Sequence, residues 1–177
     1  MPGTHIALLR GINVGKAKRI AMADLKAIVE SLGCTAVKTL LNSGNVVFST
    51  RRAITGEKLR AAIKSGTGVD SKTTVLSAAE FSIVIRENPL LNLAHDHARL
   101  VAYIPADTGV LPKLSALLEV KWAPEVIAIG SRAAYVWSPD GLLAGKLFEH
   151  IGRIIRDDIT ARNWATMLKI EAALASG

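Results

Sequence analysis

Arg10, Gly11, Asn13, Gly15 and Lys16 follow directly on an apolar run, His5-Ile6-Ala7-Leu8-Leu9, and are themselves followed by Lys18 and Arg19. These residue types suit anion binding. Arginine offers a fork of donors, asparagine an amide, and glycine lets backbone N–H groups come close to a ligand. The spacing rules out the phosphate loop of NTPases: three residues separate Gly11 from Gly15 where that loop has four, and Ala17 stands where a magnesium-holding hydroxyl is required. A plainer anion cradle remains. Its alternative is that Gly11 and Gly15 only permit turns while Asn13 caps the backbone locally.

A second polar string, Thr160-Ala161-Arg162-Asn163-Trp164, precedes an apolar stripe of Trp164, Met167 and Leu168. It predicts a helix over 161–175 with Thr160 as its N-cap. Arg162 and Asn163 would then lie in the first turn, where a cation opposes the helix dipole unless something negative compensates. The compensating group is either a ligand or the nearby Asp157 and Asp158.

The remaining reactive side chains assemble into nothing catalytic. His95 and His97 alternate without further ligands, so no metal site is assigned. Cys34 follows a helix-ending glycine, away from any histidine or cationic cluster, and reads as a small buried hydrophobe. Ser43 sits in a turn without the glycines of a nucleophile elbow. Asp157 and Asp158 are adjacent and should diverge. No cofactor is implied.

The elements that must hold these residues follow from periodicity. Residues 6–9 read as a buried strand, 22–32 as an amphipathic helix stopped by Gly33, and 37–41 with 46–49 as a hairpin through Asn42-Ser43-Gly44-Asn45. A helix over 55–65, a strand over 73–76 and a helix over 78–87 ended by Asn88-Pro89 complete the first half. The pattern then restarts: a strand over 100–104, a short helix over 111–118, a hairpin of 126–129 with 134–137, and helical segments over 142–155 and 161–175. The expected fold is therefore α+β, two tandem βαββα units packed as one compact globule, with units at 1–88 and 89–177. The first unit is longer between its first strand and its hairpin, and part of that surplus is the Arg10–Arg19 loop.

Composition bounds the rest. The chain has 177 residues, half of them hydrophobic and 21% charged, which is ordinary globular composition. No apolar run approaches the roughly 20 residues that span a bilayer, so no membrane association is expected. One cysteine and no charged leader with an apolar core point to a reducing cytoplasm. Net charge is +7, and residues 1–26 hold Arg10, Lys16, Lys18, Arg19 and Lys26 against Asp24 alone. Such a balance favours a polyanionic partner over solvated surface charge only if the cations are gathered on one loop.

Leu8-Leu9-Arg10-Gly11-Ile12-Asn13-Val14-Gly15, Ile20-Ala21-Met22 with Leu25, Ser43-Gly44-Asn45-Val46-Val47-Phe48 and Thr160-Ala161-Arg162-Asn163-Trp164 together resemble the bacterial domain-of-unknown-function family 1697. The resemblance spans nearly the whole chain. It implies a cytoplasmic α+β protein of two ferredoxin-like halves and no established activity, substrate or cofactor. The family pattern has a second glycine after the one matching Gly15, where this chain has Lys16-Ala17-Lys18. It also has a second threonine where this chain has Ala161.

The expected site gathers Arg10, Asn13, Gly15, Lys16, Asn42, Ser43, Asn45, Thr160, Arg162 and Asn163 into one cationic groove for a phosphate-bearing ligand, a nucleotide or a nucleic acid. The sheet lacks an RNP-like run of aromatics, which favours contact with phosphates over base readout. Two alternatives stand beside it. One is an enzyme on a small phosphorylated or nucleotide-like substrate, with Arg10 and Arg162 as electrostatic stabilisers; the other is a structural module without a ligand. Self-association is compatible with all three.

Overall fold

The computed structural model describes residues 1–176. The chain order is β1 (Gly3–Leu9), α1 (Met22–Ser31), β2 (Thr35–Leu40), β3 (Asn45–Thr50), α2 (Gly56–Thr67), β4 (Thr73–Ser77) and α3 (Ala78–Arg86). It continues with β5 (Leu100–Pro105), a 3-10 helix (Thr108–Glu119), β6 (Val126–Ile129), β7 (Ala134–Trp137), α4 (Leu147–Ile155), β8 (Ile159–Asn163) and α5 (Trp164–Ala175). The protein is α+β, with two four-stranded antiparallel sheets ordered β2-β3-β1-β4 and β6-β7-β5-β8. Both have the ferredoxin-like order. Two compact units emerge, one of Met1–Phe81 with the chain from Lys169 onward, the other Ser82–Leu168.

In the first unit, Ala7 pairs with Val46 and His5 with Phe48, which sets one face of the sheet. Ala7, Leu9, Val46 and Phe48 meet Leu25 and Val29 of α1 and Leu59 and Ile63 of α2 in one apolar cluster. Period-3.6 spacing on the helices and period-2 spacing on the strands therefore point at the same core. Local chemistry sets the ends of α2. Thr55 Oγ1 accepts the Lys58 N–H at 3.2 Å, and Gly68, at φ 73°, closes the last turn through its N–H to Lys64 O. In the β2–β3 turn the left-handed positions are Leu41 and Gly44. Gly44 is obligatory on steric grounds as well, because a Cβ there would stand 2.8 Å from Ile12 Cδ1 and Leu9 Cβ.

The second unit repeats the plan with altered parts. Val101 pairs with Val136 and Tyr103 with Ala134, and this face packs on the 3-10 helix and α4. The segment read as an ordinary helix over 111–118 is a 3-10 helix. Its buried residues Leu111, Leu114 and Leu117 recur every three positions, the spacing at which 3-10 side chains line up. The helix read over 142–155 begins only at Leu147.

The largest departure is at 159–163, where the expected helix start is instead β8, antiparallel to β5 with Arg162 opposite Ala102. Thr160 is therefore no N-cap, and Arg162 and Asn163 lie outside the first helical turn. Asn163 takes the capping role, its Oδ1 accepting the Thr166 N–H at 2.9 Å. Pairing decided the outcome. A five-residue strand running straight into a helix has no turn residues to mark it, yet a sheet matching that of the first unit needs a fourth strand there.

Gly56 opens α2 with its Cα against the β4 backbone; a Cβ on it would fall 2.0 Å from Thr73 O. Gly56→Ala must push the helix start off the strand and should lower unfolding free energy by about 2–3 kcal/mol. Urea denaturation would measure this, and a loss within error of zero would contradict the packing described.

Candidate functional site

The Arg10–Arg19 stretch forms most of the β1–α1 connection, residues 10–21, whereas the equivalent β5 connection is only residues 106–107. Its root is fastened to two neighbouring elements. Leu9 N–H donates to Gly44 O at 2.8 Å, tying β1 to the hairpin turn, and Arg10 N–H donates to Lys72 O at 2.9 Å. Ser71, buried, accepts from the Arg10 N–H and donates its own hydroxyl to Arg10 O at 2.8 Å. The segment carrying Ser71 and Lys72 is itself clamped. Arg60 of α2 grips Asp70 with two hydrogen bonds, Nε to Oδ1 at 2.5 Å and a terminal nitrogen to Oδ2 at 3.1 Å, and Lys64 adds a third at 3.3 Å. These donors hold the Asp70 carboxyl down at about 2, well below the usual carboxylate range.

Asn13 organises the loop itself. Its Nδ2 donates to Ile20 O at 2.9 Å and to Asn42 O at 2.7 Å, while its Oδ1 accepts the Ile20 N–H at 2.9 Å. Its own backbone N–H reaches Lys18 O at 3.0 Å. Ile12 and Ile20 are buried on either side, so the chain between them is pinched at its neck and bulges outward. Gly11, Asn13, Gly15 and Lys18 all take left-handed backbone angles, which curls the bulge tightly. Residues 14–19 are exposed, and the side chains of Lys16, Lys18 and Arg19 have no carboxylate within ion-pair distance among the described residues.

Of the residues expected at the site, Asn13, Asn42, Ser43 and Asn45 are brought together. Asn13 reaches the hairpin through the Asn42 carbonyl. Asn45 is fully buried and donates to Leu40 O at 2.8 Å and Ser43 Oγ at 3.0 Å. Arg10 stands at the loop's root, and Gly15 and Lys16 at its exposed tip. Thr160, Arg162 and Asn163 lie in β8 of the second unit. Arg162 is 8% exposed and donates to Thr160 Oγ1 at 3.1 Å and Ala161 O at 2.9 Å. Burial pushes its guanidinium down to about 10, so it remains a cation at neutral pH. Cys34 is buried, and desolvation pushes its thiol up, away from nucleophilic use. His95 packs edge-on to Trp137, and the His97 carbonyl accepts the Trp164 and Ala165 N–H groups.

Sequence reasoning missed a second polar centre, around Glu125. This carboxylate is 8% exposed and accepts from Ser138 Oγ at 2.8 Å, Lys146 N–H at 2.7 Å and Leu147 N–H at 3.1 Å. It thereby ties β7 to the start of α4. Burial, with the Glu125 charge as a lesser cause, drives the Tyr103 phenol upward, and the Tyr103 hydroxyl has no hydrogen-bond partner among the described residues. A cleft of about 640 Å³ opens beside it, bordered by Trp122, Lys121, Lys146 and His150. A lone glutamate before an apolar strand reads as an ordinary flanking charge, and nothing local announces its three distant donors.

Among solved structures, the conserved bacterial protein SP0830 from Streptococcus pneumoniae is similar over 98% of this chain and 99% of its own, with a TM-score of 0.76 and 22% identity. The two share a fold. Protein BT0572 from Bacteroides thetaiotaomicron aligns over 91% of this chain and 93% of its own at 12% identity, but its TM-score of 0.23 carries no structural argument. No curated protein matches. The model of a family described as protein of unknown function (DUF1697) matches residues 3–135. No helix among the described residues is long and apolar enough to cross a membrane.

Two measurements test how the loop is held. Asn13→Ala removes three side-chain hydrogen bonds and leaves an alanine at φ 55°, so thermal or urea unfolding should show a loss of about 1–3 kcal/mol. Asp70 titrates lower in the folded chain than in the unfolded one. Its stabilisation is thus complete above the ordinary carboxylate range and is lost as pH falls toward about 2. Asp70→Asn should lower the melting temperature at pH 6 and converge with the parent near pH 2; parallel curves across that window would refute the clamp.

Proposed function

A chain matched by the family model over residues 3–135 belongs to the DUF1697 family, and we propose that this member binds the phosphate backbone of a nucleic acid through the loop between β1 and α1. The observation that carries the reading is the division of labour within the loop. Asn13, Ile12 and Ile20 spend their side chains on holding it, whereas Lys16, Lys18 and Arg19 are exposed and free of carboxylate partners among the described residues. Three cations on a curled, anchored loop are already gathered before a ligand arrives, which reduces the ordering cost of binding.

The chemistry favours a polyanion over a single nucleotide. Exposed lysines on a convex loop offer charge without walls, and charge without walls reads a backbone rather than a base. A cytoplasmic location, where nucleic acid is abundant, accords with this reading and with the buried, unpaired Cys34.

Fluorescence anisotropy with a labelled oligonucleotide, at salt concentrations from about 50 to 200 mM, tests the reading. Affinity should fall steeply with salt. The triple variant Lys16→Ala/Lys18→Ala/Arg19→Ala should reduce the slope of log K against log salt by about 2 to 3, since each phosphate contact contributes roughly 0.7–0.9. Its melting temperature should stay close to the parent's, because exposed substitutions rarely cost more than about 0.5 kcal/mol. Salt-independent binding, or an unchanged slope in the variant, would overturn the assignment. A mononucleotide that competes at equal affinity would turn it into a nucleotide site.

A further inference from the structure

We propose that the cleft beside Glu125, wholly within the second unit, is a binding site for a small planar aromatic carboxylate. The cleft measures about 640 Å³, within the range of small-molecule sites, and its lining is mainly apolar. Trp122 supplies the aromatic surface. Its Nε1–H donates to Leu117 O at 2.6 Å, which fixes the plane of the indole, and the His150 ring lies against it with centroids 4.8 Å apart. Val120, half exposed, adds apolar surface at the lining. Flat, oriented rings favour a flat guest.

The walls are preformed. Glu125 accepts hydrogen bonds from Ser138 and from the Lys146 and Leu147 N–H groups, so one buried carboxylate joins three stretches of the lining. Gly145 makes the closest approach. A Cβ on it would stand 2.0 Å from Glu125 Oε1, and only glycine lets that turn lie against the carboxylate. A site braced in this way loses little entropy on binding.

Charge selects the acid. Lys121 and Lys146 border the cleft, both exposed and neither within ion-pair distance of a carboxylate among the described residues. Asp140 is the exposed opposing charge on the lining, while Glu125 keeps its charge but is buried with both carboxylate oxygens engaged by its three donors, so it offers a guest no free acceptor. Over the whole lining two lysines stand against two carboxylates, but with Glu125 buried the exposed groups that a guest meets are two cations against Asp140, a balance that suits a monoanion. A polyphosphate would find too few cations here, so this site and the β1–α1 loop differ in the chemistry they accept.

Titration with 2-naphthoate, with 2-naphthamide as its neutral counterpart, tests the proposal by calorimetry and by tryptophan fluorescence. Trp122 is the partly exposed indole, whereas Trp137 and Trp164 are buried, so quenching reports on the cleft. The naphthoate should bind saturably below about 1 mM and more tightly than the amide. Lys121→Met/Lys146→Met should weaken naphthoate binding about tenfold while leaving the amide unchanged. Trp122→Ala should weaken both. Val120→Glu, at an exposed position that folding tolerates, should weaken the acid more than the amide. The triple variant of the β1–α1 loop should bind naphthoate as the parent does, which separates failure here from failure of the nucleic-acid reading. Absence of saturable binding, equal affinity for acid and amide, or indifference to the lysine pair would each overturn the proposal.

Discussion

The pairing of the central strands, β1 with β3 and β4 and β5 with β7 and β8, constrains everything else in this protein. A strand with neighbours on both sides commits its N–H and C=O groups to the ladders, and here it is buried on both faces as well. Ile6, Ala7, Leu8 and Leu9 are each at most 1% exposed, and Leu100 to Pro105 are buried throughout. Such a strand leaves no room for a reacting or binding side chain along its length. Function is displaced to the strand ends, and at the end of β1 the chain leaves the sheet at Arg10.

That displacement explains why two units with the same sheet order differ so much in what they offer. The connection after β1 runs from 10 to 21 and carries the exposed cations, while the connection after β5 is only 106–107 and leads straight into the 3-10 helix. The second unit instead opens its surface where the 3-10 helix ends and α4 begins, around Trp122, Glu125 and Lys146. The sheets constrain both units alike, and the loops that leave them do not. Elaborating a connection costs the fold little, because loop closure grows only slowly with length and the anchoring residues Ile12, Asn13 and Ile20 restore what is lost.

Most of the architecture is legible in the sequence because its causes are local. The spacing of Met22, Leu25, Ile28, Val29 and Leu32, and the turn between two apolar runs at 42–45, each depend on a few adjacent residues. Where causes are distant, reading fails. β8 exists because β5 has an unpaired edge to fill, and Arg162 enters it although an arginine between Ala161 and Asn163 looks no different from one on a helix. Glu125 is a core acceptor because Ser138, Lys146 and Leu147 converge on it from positions 13 to 22 residues away. Of the site residues, the strings that matched a family marked Arg10, Asn13, Asn45 and Arg162 without distinguishing those that build from those that bind.

The hydrogen bonds draw that distinction. Asn13 and Asn45 use their side-chain amides on backbone carbonyls and, in Asn45, on Ser43, and Asn163 caps α5. A polar group consumed by the fold would have to break those bonds to take a ligand, at a penalty of about 1–3 kcal/mol for each donor or acceptor left buried and unmet. Lys16, Lys18 and Arg19 face no such penalty, since their heads are already in water. The opening constellation of arginine, asparagine, glycine and lysine therefore separates by energetics into a frame and a surface. Asn13 gives the loop its shape, and the cations at its tip are the groups an anion can reach without unfolding anything.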